Sequence, residues 1–122
     1  MLVIDKMSRV PIYEQIEEGI KREIVAGILN PKDQLPSIRE LSVILSTNPN
    51  TVQKAIMSLD RAGIIVSNQG RGSFVAEDAR ERIKESLGIK LDEIKALTLT
   101  LKDAGVGEKE IIDAIKSVYS LK

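Results

Sequence analysis

The 122-residue sequence contains no cysteine and no histidine. Disulfides, thiolate nucleophiles, histidine–metal sites and the commonest general base are therefore excluded, and nothing points to an oxidising compartment. Long apolar runs are also missing, and no charged segment followed by an apolar one opens the chain. Neither a signal peptide nor a membrane span is expected, and the expected location is cytoplasmic. Nor is there an excess of one charge, since Lys+Arg and Asp+Glu both number 18. Dividing the chain after Ala76 changes little, with 9 basic and 8 acidic residues before it and 9 and 10 after it. Net charge does not advertise a polyanion partner, so any such binding must come from local placement of basic groups. No nucleophile is paired with a base, and acidic pairs such as Glu17-Glu18 and Asp92-Glu93 lie where solvated helix faces would put them. The expectation is a chain that is not an enzyme, with no catalytic residue, cofactor or metal site.

The most informative stretch present is Ser46 to Leu59. Asn48 is a favoured helix N-cap, and Pro49 suits the first helical position because its missing N–H would be unpaired there anyway. Val52, Ala55, Ile56 and Leu59 recur at helical spacing and make an apolar face. Asn50, Thr51, Gln53, Lys54 and Met57 occupy the other flanks. A surface helix that needs only to be wet more often carries Glu and Lys. Amides and hydroxyls instead suit base reading, because Asn and Gln can pair bidentately with adenine and Lys can reach phosphate or guanine. The plainer alternative is a capped, half-buried helix whose Asn and Thr only form its N-terminus.

Upstream, residues 1–10 form a short extended lead, and Pro11 opens a helix with Ile12, Tyr13, Ile16, Ile20, Ile24 and Val25 on its apolar side. That helix is expected to end near Ala26-Gly27. Residues 28–36 hold two prolines and turn formers, so they form a returning loop, with Ile28, Leu29 and Leu35 as anchors. Ser37 and Glu40 make a capping box for a second helix with the stripe Ile38, Leu41, Ile44 and Leu45. A third helix follows after a very short turn, which is the helix-turn-helix pattern. Gly63 ends the third helix, and Ile64–Val66 and Ser73–Ala76 flank a Gly-rich, basic tip as a β-hairpin. The order of elements is that of a winged helix with the hairpin as its wing. Gly70 and Gly72 serve turn geometry as readily as close approach to a phosphate backbone, and Arg71 between them favours the latter.

From Glu77 the chain turns to helix formers, and Ile83, Leu87, Leu91, Ile94, Leu97 and Leu101 recur at three and four residues. One helix of about 25 residues and a short last helix from Glu108 to Tyr119 are expected, separated at Ala104–Gly107. The fold class is thus mostly α with a small β-hairpin, a winged helix-turn-helix over 1–76 and a two-helix extension over 77–122. So small an extension cannot enclose its own core, so its apolar stripe is expected to pair with a second copy in a two-fold dimer. The alternative is a monomer whose helical pair folds back on the winged helix.

Four segments together resemble the GntR family of transcription regulators: Pro11–Ile16, Leu35–Leu41, Asn48–Ala55 and Gln69–Val75. The Asn-Pro-Asn-Thr-Val-Gln segment and the short C-terminal part resemble its YtrA-like branch. The resemblance covers about residues 8–76 and implies a homodimer on a pseudo-palindromic operator, commonly as a repressor. Carried over by position, it implies DNA contacts at Ser37 and Arg39, at Asn48, Asn50, Thr51, Gln53 and Lys54, and at the wing tip Gln69, Gly70 and Arg71. Many members have Arg where this chain has Pro49 and Gln53, so guanine readout does not carry over, and A·T preference is expected. Larger members sense metabolites through a sizeable C-terminal domain. A small-molecule effector is left open here, with the dimer interface or the space between helical pair and winged helix as its expected place. The rival from another class is a winged-helix protein-interaction module without sequence-specific DNA binding.

Overall fold

The computed structural model describes residues 2–121. In order these form α1 (Ile12–Val25), α2 (Ile38–Ile44), α3 (Pro49–Arg61), β1 (Ile65–Asn68), β2 (Gly72–Val75), α4 (Ala79–Asp103) and α5 (Glu108–Tyr119). They fall into two compact units, one running to Lys84 and one beginning at Glu85. Mostly helical content with one antiparallel hairpin agrees with the class read from the sequence.

In the first unit, α1, α2 and α3 each turn one stripe inward. Ile16, Ile20 and Ile24 come from α1, Leu41 and Leu45 from α2 and its C-cap, and Val52, Ala55, Ile56 and Leu59 from α3. Full burial of a side chain such as Ile16 or Leu59 contributes about 1.5–3 kcal/mol. Local signals fix where the helices start. Ser37 Oγ accepts the Glu40 N–H at 3.1 Å while Glu40 Oε1 accepts the Ser37 N–H at 3.2 Å, and Asn48 Oδ1 accepts the Asn50 N–H at 2.8 Å ahead of Pro49. At the far end of α3, Gly63 takes φ 76°, its N–H bonding Asp60 O at 2.9 Å while the Ile64 N–H bonds Leu59 O at 3.0 Å. That reversal satisfies the last carbonyls and turns the chain into the hairpin.

The loop before α2 does more than return the chain. The Lys32 N–H bonds Val75 O, the Val75 N–H bonds Asp33 O and the Leu35 N–H bonds Ser73 O, each at 2.8 Å. This short extended segment therefore pairs with β2, which pairs on its other edge with β1 in the register Ile65↔Val75 to Asn68↔Gly72. Leu35 is buried and Leu29 packs on the core as expected, but Ile28 is exposed because the chain has already turned away from α1 there. Val25 and Ile44 are likewise exposed, each one residue off the buried positions Ile24 and Leu45 and so rotated about 100° around its helix.

The first unit extends beyond Ala76. Ala79 and Ile83, in the opening turns of α4, are fully built into the core. Arg80 fastens those turns, donating from Nε to Ile24 O at 3.1 Å and from its guanidinium to Asn30 Oδ1 at 2.9 Å. This corrects the placing of Ile83 in an exposed dimerisation stripe. It is 3% exposed and belongs to the winged-helix core, since the turn at Ala76 is too tight to carry the helix off before its second turn has packed.

The second unit holds the rest of α4 and α5. They are joined through Gly105, at φ 93°, where the Val106 N–H bonds Leu101 O at 2.9 Å. Leu87, Leu91, Ile94, Leu97 and Leu101 on α4 and Ile112, Ile115 and Val118 on α5 remain exposed within the single chain. Ile94, Leu97, Leu101, Val106, Ile111 and Ile115 line an apolar groove between the two helices. None of the described helices is long and apolar enough to cross a membrane.

Candidate nucleic-acid interface

All ten residues expected at the nucleic-acid face lie in the first unit. Asn48, Asn50, Gln53 and Lys54 are exposed on the first two turns of α3, and Thr51 is half-buried among them. The buried stripe of the same helix fixes their direction, because Val52, Ala55, Ile56 and Leu59 hold the opposite side against α1 and α2. Asn48 Oδ1 is engaged in the cap, which leaves its amide N–H groups to donate elsewhere. At the start of α2, Ser37 is engaged in its capping box and Arg39 stands exposed in the first turn.

Gln69, Gly70 and Arg71 form the exposed tip of the hairpin. The Arg71 N–H bonds Asn68 O at 3.0 Å, and Gly70 at φ 80° takes the turn position that needs a left-handed residue. A residue not singled out from the sequence braces this tip. Gln34 donates from Nε2 to Arg71 O at 3.0 Å, and a side chain at Gly72, at φ 114°, would come within 2.7 Å of that amide. Gln34 lies three residues ahead of Ser37, so at most about 11 Å separates their Cα atoms. The wing tip and the start of α2 are thereby tied into one edge of the unit.

Lys54 has a partner that spacing could not foretell. Its Nζ lies 4.0 Å from the centroid of the Tyr13 ring, a cation–π contact between α3 and α1. The Tyr13 hydroxyl donates to Glu14 Oε1 at 3.2 Å. That hydrogen bond, then the Glu14 charge, partial burial and Glu17, hold the phenol above the usual value of 10.0. Lys54 therefore stands with its ammonium directed along the α1 edge of the exposed face. Of the dimerisation stripe, Leu87, Leu91, Ile94, Leu97 and Leu101 lie in the second unit, and Ile83 does not join them. Among the described residues there is no group of three acidic, histidine or cysteine side chains able to hold a metal ion.

An arrangement of capped helix N-termini, exposed amides and three cations on one unit offers phosphate contacts from backbone N–H groups and Arg or Lys, and base-edge contacts from Asn and Gln. Comparison with known proteins agrees. The family model "Bacterial regulatory proteins, gntR family" matches residues 12–75. The HTH-type transcriptional repressor YtrA of Bacillus subtilis is 40% identical over 119 residues, spanning 97% of this chain and 92% of that protein. A GntR family transcriptional regulator from Listeria monocytogenes superposes with a TM-score of 0.70 at 32% identity, covering 93% of this chain and 98% of that one. The DNA-binding domain of AraR in complex with operator ORX1 superposes with a TM-score of 0.56 at 34% identity, over 62% of this chain and 93% of that one. With its fold, its motifs and these relatives in agreement, the chain belongs to the gntR family of bacterial regulatory proteins, as a YtrA-like member.

Proposed function

We propose that this DNA-binding transcription regulator acts as a homodimeric repressor on a pseudo-palindromic operator. The observation that carries the reading is the outward face of α3, where Asn50, Gln53 and Lys54 are exposed beside a capped N-terminus while the opposite face is locked into the core. Arg39, Lys54 and Arg71 hold phosphates and set the register, and Asn50 and Gln53 read base edges with a preference for A·T pairs. Support for a repressor comes from the YtrA likeness, and support for binding duplex DNA from the AraR domain that superposes on the first unit's fold.

Dimerisation runs through the second unit. Leu87, Leu91, Ile94, Leu97 and Leu101 present a row of apolar side chains that one chain leaves open to water, and contiguous apolar surface of that kind marks a protein interface. In this reading the two copies of α3 engage half-sites about one helical turn or somewhat more apart. The experiment compares Arg39→Ala and Gln53→Ala on operator and scrambled duplexes. Arg39→Ala is expected to weaken both equally, and Gln53→Ala to lose about 1–3 kcal/mol on the operator alone. Equal losses on both duplexes for Gln53→Ala would remove the base-reading role.

A further inference from the structure

The residues ahead of α1 lie outside the matched family segment, yet they are held by a dense set of contacts. Leu2 and Ile4 pack on the core, with Leu2 lying directly over Gly19, where any side chain would collide with it. Gln15 clamps the middle of the segment: its Oε1 accepts the Asp5 N–H at 2.8 Å, and its Nε2 donates to Asp5 O and Val10 O, each at 2.9 Å. Between those anchors the chain makes a tight loop. The Met7 N–H bonds Asp5 Oδ1 at 2.9 Å, the Ser8 N–H bonds Asp5 O at 3.2 Å, and the Val10 N–H bonds Ser8 Oγ at 3.1 Å.

The loop carries Lys6 and Arg9 against the single carboxylate of Asp5, which is turned inward to Met7, and Met7 at its apex is 92% exposed. Lys6 Nζ donates to Ser46 O at 3.0 Å. Ser46 is the left-handed residue, at φ 49°, in the turn between α2 and α3, and stands two residues before the Asn48 cap. At its other end the loop runs into Pro11, two residues from Tyr13, on whose ring Lys54 rests. The loop is thus flanked by both ends of the exposed stretch Asn48–Lys54.

We propose that residues 6–9 are a second DNA-contacting element, a pre-set arm whose Lys6 and Arg9 grip the phosphate backbone beside α3. This rests on the DNA-binding reading above. One of the three ammonium donors of Lys6 is used on Ser46, which leaves two for a phosphate oxygen, and the Arg9 guanidinium is exposed. Because the Gln15 clamp already fixes the backbone, contact does not have to order the arm, which removes a cost that loose arms carry.

The test uses the full chain with Lys6 and Arg9 both changed to Gln, titrated by fluorescence anisotropy onto operator and scrambled duplexes at 50 and 200 mM salt. Each phosphate contact accounts for about 0.9 in the slope of log affinity against log salt. Losing two makes the affinity drop across that fourfold salt range about 12-fold smaller than for the unaltered chain, equally on both duplexes. The exchange pair Lys6→Arg with Arg9→Lys, which keeps both charges, retains the original slope. An unchanged slope in the glutamine variant overturns the arm while leaving the DNA-binding reading intact. So does an equal fall on changing Lys95 and Lys109 to Gln in the second unit, which would make the effect one of net charge. Absence of salt-dependent binding by the unaltered chain would instead overturn the DNA-binding reading, and the arm with it.

Discussion

Changing Ile83 to Ala separates the core of the first unit from the interface proposed for the second. Ile83 lies on the same helical row as Leu87 and Leu91, but it is 3% exposed and packed among Ala79 and the other residues of the winged-helix core. Removing most of a buried isoleucine side chain costs about 2–5 kcal/mol, made up of lost transfer energy and the cavity left behind. For a unit of this size each kcal/mol is worth about 4–8 °C in Tm, so even the lower bound lowers the midpoint of the first unit by about 8–16 °C. Leu91→Ala, at a position 61% exposed in the single chain, costs the isolated chain at most about 0.5 kcal/mol and acts on subunit association. Urea unfolding followed by circular dichroism at two protein concentrations 100-fold apart, a range of roughly 2.7 kcal/mol in mass action, distinguishes the two. The Ile83→Ala loss is expected to be the same at both concentrations, and the Leu91→Ala loss to shrink on dilution, because a weakened dimer forfeits stability only where the dimer is populated. A concentration-dependent loss for Ile83→Ala, or one below about 0.5 kcal/mol, would refute its assignment to the core.

Three further outcomes follow from particular contacts. Ser37→Ala removes the Oγ that accepts the Glu40 N–H, while the backbone N–H of residue 37 still reaches Glu40 Oε1, and is expected to cost about 1 kcal/mol, measured as a shift in the urea midpoint with unchanged slope. Gln34→Ala frees the wing tip from its brace, and on the DNA-binding reading it weakens operator and scrambled duplex alike, with discrimination between them preserved in anisotropy titrations. Tyr13 is expected to titrate above 10.0 because the Glu14 hydrogen bond and charge favour the neutral phenol. The folded-state value is the raised one, so this contribution to stability is fully present below pH 10.0 and is lost as pH rises through the folded value. In a Tyr119→Phe chain, where Tyr13 is the remaining tyrosine, tyrosinate absorbance should show that midpoint, and urea should return it to the ordinary value.

Helix bounds were legible because their signals are local. Asn48-Pro49 and the Ser37/Glu40 box set helix starts by bonding their own neighbours, and Gly63 sets an end through its own φ. Both strands of the hairpin also read out, from β-rich runs around a glycine turn. What escaped notice depends on residues far apart in sequence. The Gln34 brace joins positions 37 apart, the Lys6 bond to Ser46 joins positions 40 apart, and Lys54 meets Tyr13 across two helices. Periodicity also cannot say where a stripe changes partner. From Ile83 to Leu101 the row is continuous in sequence, yet its first member faces the core of one unit and the others lie in the second. Similarly, the lead ahead of α1 was legible as a separate segment but not as extended throughout, since residues 5–10 close a tight loop, and its Gln15 clamp and its place beside the turn at Ser46 follow only from the packed fold.

The most direct measurement of the central claim is binding of the unaltered chain to a duplex from its own promoter, by fluorescence anisotropy at two salt concentrations with a scrambled duplex as competitor. The account predicts affinity that falls steeply with salt, discrimination against the scramble by a factor of about 10³ or more, and two chains per operator. Equal affinity for both duplexes, or no binding to either at low salt, would contradict it and make the outer face of α3 a protein-docking surface.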